Sequence, residues 1–350
     1  MSDEHQHEVA PRRKLGPLAA CLLAALLFGA STPAAKQFTA SMSSWFVAGL
    51  LYAGAGISVS PWALRSARQG GKATARQRAY LFGALVAGGV IGPVLLVMGL
   101  SRAPAGSVAL WLNLETVATA LLARAFFKEH LGAQTWLSVL LIVIASVLLS
   151  AQTGAGFAAV LFVALACAAW GLDNNLTSLI GSYSAAQITF AKGLLGASVN
   201  LTLAAYFPGA APSPRDALLV MLVGALGYGA SLVLYVSSAR ELGATRSQLV
   251  FSTAPAWGLL LAWAAFQEPV FVMQLLAGGI MLVALWLYNR EKHAHYHTHE
   301  ALLHTHWHTH DDGHHEHDSA QAGWHTHEHE HSPHEHAHPH LPDLHHRHRH

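Results

Sequence analysis

The sequence predicts an all-α integral membrane protein with ten transmembrane helices, arranged as two inverted five-helix repeats and followed by a disordered, histidine-rich C-terminal tail. Three observations lead to this fold class. Ten apolar windows of membrane-spanning length follow one another, two stretches repeat within the chain, and the composition changes sharply near residue 290.

The apolar windows come first along the chain. A helix needs about 20 apolar residues to cross the hydrocarbon core of a bilayer. Of the 350 residues, 53% are hydrophobic and 11% are charged. One such window could be a buried helix of a soluble protein, but ten in succession indicate a membrane protein. The windows, numbered as spans 1 to 10, cover approximately 15–35, 44–64, 79–100, 103–124, 131–151, 155–177, 185–207, 217–239, 244–266 and 269–289. Span 1 is longer than the core of a signal peptide, so we expect it to be retained.

The positive charges between the spans predict the orientation. Cytoplasmic loops carry an excess of Lys and Arg. The break between spans 2 and 3 has no acid and contains Arg65, Arg68, Lys72, Arg76 and Arg78. With both termini inside, the cytoplasmic side also gains Arg12, Arg13, Lys14, Arg124, Lys128, Arg240, Arg290 and Lys292, and the outer side keeps Lys36, Arg102 and Arg215. The bias predicts a multi-pass protein of the cytoplasmic (inner) membrane with both termini in the cytoplasm.

Two pairs of similar stretches indicate an internal duplication. LLARAFFKE at 121–129 agrees with LLAWAAFQE at 260–268 in six of nine positions, and FVAGLL at 46–51 agrees with FAKGLL at 190–195 in four of six. Residues 15–151 and 155–289 therefore form two five-helix units. Because five is odd, the second unit must be inverted in the membrane, as in many secondary transporters that bind substrate at the repeat interface.

Several motifs carry a resemblance to a known family. LLFGASTPAAK at 26–36, LARAFFKEHLG at 122–132 and STAPAWGLLLAWAAFQE at 252–268 resemble the drug/metabolite transporter superfamily, EamA type. The resemblance implies ten helices from two duplicated halves and movement of small organic metabolites or drugs, usually without ATP. Glu129, Glu268 and Pro255 match residues common in that family. The chain departs from the pattern at Thr116, where a Pro is expected, and no Walker-type phosphate loop occurs.

Three ionisable residues lie within the spans, where charge is costly and often functional. They are Glu115 in span 4, Asp173 in span 6 and Lys192 in span 7. Asp173 and Lys192 lie at equal depth on consecutive antiparallel helices, so we expect them to pair. The pair could serve only to fix helix packing.

The functional alternative is a substrate pathway around these charges. Lys192 would bind a substrate carboxylate, and the amides of Asn174 and Asn175 would orient the substrate beside Asp173. We also expect Asn113, Trp170 and Asn200 to line the cavity, although each is equally compatible with helix packing. Glu115 has no cation within two helical turns, and a low dielectric favours a neutral carboxyl. It is therefore the predicted proton-coupling group. Glu129 and Glu268 lie at helix ends and should define helix boundaries.

The tail, residues 293–350, holds 23 of the 26 histidines. In an extended chain, residues two apart point to the same side, so the recurring His-x-His spacing can grip a metal ion. Imidazole suits Zn, Ni, Co and Cu alike. The predicted metal ligands are His295, His297, His299, His304, His306, His308, His310, His314, His315, His317, His325, His327, His329, His331, His334, His336, His338 and His340. A pH-responsive tail and a tail without function are the alternatives.

The chain thus divides into four segments: a cytoplasmic N-terminus (1–14), two repeats (15–151 and 155–289) and the tail (293–350). The first function predicted is a secondary-active transporter of a small organic solute, with export as the expected direction, and not an enzyme. Transport should need no cofactor, and transition metal ions should bind the tail. The alternatives are a divalent-metal carrier that uses the tail as collector, and a membrane-anchored metal store or sensor. The expected partners are the solute, the lipid bilayer and metal ions, with a homodimer as an open alternative. No basic, aromatic-rich element indicates nucleic acid.

Overall fold

The structure is a computed structural model of the chain. It describes residues 15–67, 73–127, 131–152, 156–180, 182–207, 209–242, 247 and 250–290, and the backbone of 293–299, 302–308, 325–331 and 334–340. The chain divides into two compact units, Met1–Arg290 and Glu291–His350, each described by itself.

The first unit is helical throughout its described spans. Thirteen α-helices and two π-helices are described in it, and several of them join end to end within one span. In chain order they are α1 (Leu15–Lys36), α2 (Ser44–Ala67), α3 (Ala75–Ala84), a π-helix (Leu85–Ile91), α4 (Gly92–Leu100), α5 (Ala105–Trp111), α6 (Leu114–Phe127), α7 (Ala133–Gln152), α8 (Phe157–Ser178), α9 (Ala185–Tyr206), α10 (Pro214–Gly224), a second π-helix (Ala225–Ala230), α11 (Ser231–Leu242), α12 (Ala254–Ala264) and α13 (Val272–Arg290).

Eight helices of the described chain are long and apolar enough to cross a membrane, and two shorter apolar helices, Ala254–Ala264 and Val272–Tyr288, come after them. Local sequence signals set several boundaries. Thr74 and Ser184 each form a capping box with the glutamine three residues later, at the starts of α3 and α9, which satisfies amide groups that a helix start leaves open. The predicted ten-helix fold class is confirmed.

Spans 3 and 8 each contain a π-helix near their middle, at Leu85–Ile91 and Ala225–Ala230. A π-helix has hydrogen bonds between residues i and i+5 instead of i and i+4, so it contains one extra residue, and such segments often occur at functional positions. Both segments are rich in glycine, and they occupy corresponding places in the two repeats.

Spans 4 and 9 are interrupted. The helix of span 4 breaks at Leu112–Asn113, between α5 and α6, and span 9 has a turn at Ser252–Thr253 immediately before α12. Discontinuous helices of this kind expose backbone groups near the midplane of secondary transporters.

Helices from the two repeats pack against one another. Helix α2 lies along α9 and α1 lies along α11 and α12. Two glycines allow the closest approach, because a Cβ on Gly193 would collide with the backbone of Gly56. Exposed apolar side chains cover the outer faces of the helices, among them Leu64, Phe82, Phe126, Val147 and Leu218, as expected of surface that meets lipid.

One end of the bundle is held by two charged side chains. Glu268 accepts hydrogen bonds from the amides of Ala105 (2.8 Å) and Gly106 (3.0 Å) at the start of α5. Lys36, at the end of α1, donates to the carbonyl of Leu100 at the end of α4. The expectation that Glu268 defines a helix boundary is confirmed, although the boundary belongs to span 4 and not to its own helix. Glu129 lies outside the described residues.

The second unit is the tail, where the structure has four strands: β1 (His293–His299), β2 (Leu302–His308), β3 (His325–His331) and β4 (His334–His340). Strands β1 and β4 pair antiparallel, and so do β2 and β3. The alternation of histidine with other residues gives these four segments the period of two that a strand has. The predicted disorder of the tail stays a prediction.

Candidate transport site

Four of the predicted pathway residues form two polar clusters, one between α6 and α8 and one between α8 and α9. The first cluster forms at the break in span 4. Because the helix restarts at Leu114, Glu115 lies in the first turn of α6, where a negative charge meets the positive end of the helix dipole. Its side chain reaches α8, where the amide of Asn174 donates to Oε1 over 2.8 Å.

Asn174 also connects Glu115 to Thr119 one turn further along α6. Its amide nitrogen lies 3.4 Å from the Thr119 hydroxyl. Asn174 is exposed and Glu115 is half-buried. Exposed polar side chains at this depth would be costly against hydrocarbon, which is compatible with a polar path inside the bundle; the assignment of these residues to the substrate pathway stays a prediction.

The second cluster is the ion pair of Lys192 and Asp173. The ammonium of Lys192 donates to Oδ2 of Asp173 over 2.6 Å, and the Thr177 hydroxyl donates to Oδ1 over 3.0 Å. Asp173 is buried and Lys192 is half-buried. The predicted pairing of these two residues is confirmed.

The first π-helix packs directly over this ion pair. A Cβ on Gly88 would overlap the carboxylate of Asp173, and a Cβ on Gly89 would lie 3.1 Å from the carbonyl oxygen of Lys192. Two glycines in the π segment therefore allow its backbone to touch both charged residues.

The carbonyl of Gly88 joins the ion pair to aromatic side chains. It accepts hydrogen bonds from the hydroxyl of Tyr52 (2.6 Å) and from the indole nitrogen of Trp170 (3.1 Å). Both donors are buried, so the predicted pathway residue Trp170 contacts the π-helix behind the ion pair.

A run of aromatic rings continues from Tyr52 across the repeat interface. Its ring centroid lies 5.8 Å from that of Tyr228 on the second π-helix, which lies 5.7 Å from Phe28 on α1. Phe28 in turn lies 5.3 Å from Phe251, at the break in span 9. Four spans, two from each repeat, thus contribute to one aromatic surface.

Three predicted pathway residues take part in helix packing contacts. Asn175 is buried and donates to the carbonyls of Gly171 (2.7 Å) and Thr119 (3.1 Å), which ties α8 to α6. Asn113 donates to the carbonyl of Leu110 over 2.9 Å.

Asn200 is fully buried, and its amide nitrogen lies 3.5 Å from the carbonyl oxygen of Val90 on the first π-helix. Its side-chain oxygen has no hydrogen-bond partner among the described residues. Neither Asn113 nor Asn200 contacts Glu115 or Lys192 in a described hydrogen bond, so their assignment to the pathway stays a prediction.

This arrangement of breaks, π segments and duplicated spans agrees with the comparison with known families. The EamA-like transporter family matches residues 15–151 and matches again at residues 157–290. The chain belongs to the EamA-like transporter family. The predicted family and the predicted duplication are confirmed, and because EamA-like proteins are transporters, so is the expectation that the chain is not an enzyme.

Similar proteins agree with the family. An uncharacterized transporter of Methanothermobacter thermautotrophicus (strain ATCC 29096 / DSM 1053 / JCM 10044 / NBRC 100330 / Delta H) is 26% identical over 303 residues, which cover 80% of this chain and 88% of that protein. A solved crystal structure, described only as that of a protein, is 16% identical, with a TM-score of 0.56 over 77% of this chain and 95% of the other. The second likeness concerns the EamA-like fold alone.

The predicted metal ligands of this EamA-like chain all lie in the tail. The strand register places His295 opposite His338, His297 opposite His336, and His299 opposite His334. In the other ladder it places His304, His306 and His308 opposite His329, His327 and His325. His331 lies at the end of β3 and His340 at the end of β4. His310, His314, His315 and His317 lie outside the described residues.

Some residues of the EamA-like site were missed from the sequence. Tyr52, Tyr228, Phe28 and Phe251 each look like ordinary members of an apolar helix, and Thr119 like one of its polar spacers. A signal was nevertheless present for Tyr228, which stands within the glycine-rich stretch GALGYGA at 224–230. Because glycine has no side chain, the ring of an aromatic residue between two glycines is left uncovered by its own helix.

Proposed function

We propose that this EamA-like chain is a secondary-active exporter of a small organic metabolite or drug in the cytoplasmic membrane, with both termini in the cytoplasm. The observation that carries the proposal is the contact of Glu115 with Asn174. It places an accessible polar pair at a helix break, beside an ion pair that is already neutralised. A solute that enters this region meets a small number of polar groups among apolar and aromatic walls, as small-molecule sites commonly offer.

The backbone supports alternating access as the mechanism. Spans 4 and 9 are broken and spans 3 and 8 are π-helical at corresponding places, and α2 packs along α9 across the two repeats. In inverted-repeat transporters one repeat rocks against the other around a site fixed at their interface. The breaks in spans 4 and 9 are points at which the backbone can bend during such a motion.

We assign proton coupling to Glu115. Its carboxyl would bind a proton in one half of the transport cycle and interact with the substrate in the other half, so that proton and substrate are exchanged. Reconstituted in vesicles, Glu115→Gln is expected to lose acceleration of transport by an imposed proton gradient. Asp216→Asn, in the first turn of α10 at the end of the bundle, is the matched control and should keep it. Gradient-dependent transport by Glu115→Gln at the wild-type rate would contradict the assignment.

We further propose that the tail binds transition metal ions, among them Zn, Ni, Co or Cu. The strand register supports this, because it brings histidines of the first tail half opposite histidines of the second. Equilibrium dialysis should show several bound ions per chain in the full protein and few in a chain that ends at Lys292. Equal binding by both chains would contradict a role of the tail.

The second candidate is a carrier for Ni, Co or Zn ions, and the observation that favours it is the same histidine tail. The two candidates differ in what the helices do without the tail. Cells that make the full chain, the chain ending at Lys292, or neither are compared for their Ni, Co, Zn and Cu content under metal challenge. A change in one metal that survives removal of the tail would establish the metal carrier and overturn the organic solute.

A further inference from the structure

The charges inside the bundle do not balance. Among the described residues in the middle of the spans, the charged side chains are Glu115, Asp173 and Lys192. Lys192 and Asp173 form a close ion pair of 2.6 Å and cancel. Glu115 is left as one carboxylate without a cation in contact, which makes the interior complementary to a positive charge.

The groups around Glu115 accept hydrogen bonds more than they donate them. Both contacts of the Asn174 amide nitrogen are to oxygens of α6, the Glu115 carboxylate at 2.8 Å and the Thr119 hydroxyl at 3.4 Å. This orientation leaves the amide oxygen of Asn174 and the second carboxylate oxygen of Glu115 as acceptors. A ligand that satisfies them must bring its own N–H or O–H donors.

Aromatic rings connect to the helix that carries Asn174. Trp170 lies one turn before Asn174 on α8, and its indole shares the Gly88 carbonyl with the hydroxyl of Tyr52, whose ring centroid lies 5.8 Å from that of Tyr228. Tyr228, Phe28 and Phe251 are each half-buried, so parts of their rings remain accessible. The face of an aromatic ring attracts a cation, and it also packs against an apolar body.

An anionic substrate fits these groups poorly. Lys192, the one cation of the described interior, is held by Asp173, which a substrate carboxylate would have to displace. The same carboxylate would also be repelled by Glu115. The sequence-based expectation that Lys192 binds a substrate carboxylate is thus less well supported than binding of a cation by Glu115.

Resting on the proposed transport function, we propose that the site takes a protonated primary or secondary amine carried on an aromatic or aliphatic body. Its N–H groups would donate to Glu115 Oε2 and to the Asn174 amide oxygen. Its apolar part would lie against Tyr228, Phe28 and Phe251. The requirement for N–H donors separates this class from quaternary ammonium ions, which carry the same charge but cannot donate.

Four probes of similar shape test the proposal with the purified full-length protein. They are 2-phenylethylamine, its N,N,N-trimethyl derivative, 2-phenylethanol and phenylacetate, with binding followed by isothermal titration calorimetry near neutral pH. We expect the amine to bind tightest and the alcohol and carboxylate weakest. Glu115→Gln should weaken amine binding by about 30-fold or more, as for loss of one partner of a desolvated charge pair, and should weaken binding of the neutral alcohol far less, because the glutamine oxygen can still accept from its hydroxyl.

Further variants separate this role from a structural one. Tyr228→Leu should weaken amine binding about 2- to 5-fold through loss of a ring face, and Asp216→Asn should leave it unchanged. If Glu115→Gln fails to fold, as judged by gel filtration, the proposal is still tested by amine binding to Tyr228→Leu and by the ranking of the four probes on the wild-type protein.

The outcomes separate the amine site from the transport function. Binding of phenylacetate or phenylethanol as tight as that of the amine, or binding of none of the four, overturns the amine site. Trimethylated amine that binds as tightly as the primary amine overturns the requirement for donors. Transport of any organic probe into vesicles keeps the proposed transport function in each of these cases, whereas metal uptake by the chain ending at Lys292 overturns that function itself.

Discussion

Span 4 of the first repeat and span 9 of the second break at corresponding positions, Leu112–Asn113 and Ser252–Thr253. After the break, span 4 continues with Glu115 and Thr116, whereas span 9 continues with Ala254 and Pro255. The duplication thus preserved the interruption of the helix, while the residues after the interruption diverged. In span 9 Pro255 stands in the first turn of the restarted helix; in span 4 the equivalent residue is Thr116, and the carboxylate of Glu115 comes directly before it.

Spans 2 and 7 show the same contrast. In the aligned stretches FVAGLL and FAKGLL, Ala48 stands where span 7 has Lys192. Each intramembrane charge therefore occurs in one repeat only, while the breaks and π-helices occur in both. A symmetric backbone provides two equivalent sets of positions, and the asymmetry of charge confines the site to one of them.

The largest effect is expected from unpairing the ion pair. Lys192→Met leaves the carboxylate of Asp173 buried without a cation, with only the Thr177 hydroxyl still donating to it, and should destabilise the protein by about 3–5 kcal/mol. The double variant Asp173→Asn/Lys192→Met gives span 7 the neutral character that span 2 already has, and it should recover most of that loss. Thermal unfolding of the detergent-solubilised proteins measures both. Equal loss in the single and double variants would show that the charges do not stabilise each other.

The next effect concerns the π-helices of the two repeats. Gly88→Ala places a methyl group against the carboxylate of Asp173, and the corresponding Gly227→Ala places one against the side chain of Ser31. Each should cost about 1–3 kcal/mol as overpacking, but only Gly88→Ala should disturb the ion pair. The measurement is thermal unfolding of each glycine variant combined with Asp173→Asn/Lys192→Met. The free-energy cost of Gly88→Ala should be smaller in that combination than in the wild-type protein.

Gly279→Ala is the control for these two variants, because a Cβ at Gly279 has open space around it. It should leave the unfolding temperature nearly unchanged. A loss comparable to that of Gly88→Ala would contradict overpacking as the cause, because Gly279→Ala adds no close contact and by backbone entropy alone should stabilise.

A smaller effect is expected where the second repeat contacts the first. Glu268→Ala removes the acceptor of the Ala105 and Gly106 amides at the start of α5, a loss of about 1–2 kcal/mol by analogy with helix caps. Glu268→Gln should retain part of that stability, because the amide oxygen can still accept one of the two bonds. Unfolding midpoints at low and high salt test the part that charge plays. Only the wild-type protein has the carboxylate, so the gap between the wild type and Glu268→Gln should narrow at high salt, where that charge is screened.

The smallest effect is expected from making span 4 resemble span 9. Thr116→Pro removes the amide that now bonds to the Asn113 carbonyl over 3.1 Å, at a cost of about 0.5–1.5 kcal/mol. The proline also biases Glu115 away from helical geometry, so transport should fall by more than stability does. The reciprocal Pro255→Thr should change both only slightly, and an equal loss of transport in the two variants would contradict the asymmetry of the site.

The sequence was sufficient for the frame of the molecule. Local helix geometry determines which residues share a span and a depth, and the spacing of residues in the sequence reflects that geometry. The span lengths, the repeated LLA…E stretches and the equal depth of Asp173 and Lys192 could therefore be predicted. The contact of Glu115 with Asn174 could not be predicted, because the residues are 59 positions apart and meet only through the packing of α6 on α8. The same holds for Tyr52 and Trp170, which share the carbonyl of Gly88.

The tail carries two patterns that favour different backbones. Its composition predicts disorder, because a polar, histidine-rich segment has little apolar surface to bury. The period-two placement of histidine is also a strand pattern, and the structure pairs strands of the first tail half with strands of the second at that period. The strand period is thus found in these four segments, and the disorder of the tail stays a prediction.

The two π-helices have a consequence for ancestry. A π segment corresponds to one residue inserted into a regular helix, and the two repeats carry theirs at Leu85–Ile91 and Ala225–Ala230. One insertion inherited by both halves accounts for this more simply than two independent insertions at the same place. On that account the insertion predates the duplication that produced the two halves, both of which match the same family. Glu115 and Lys192, each present in one half, record what happened after the two copies were fused.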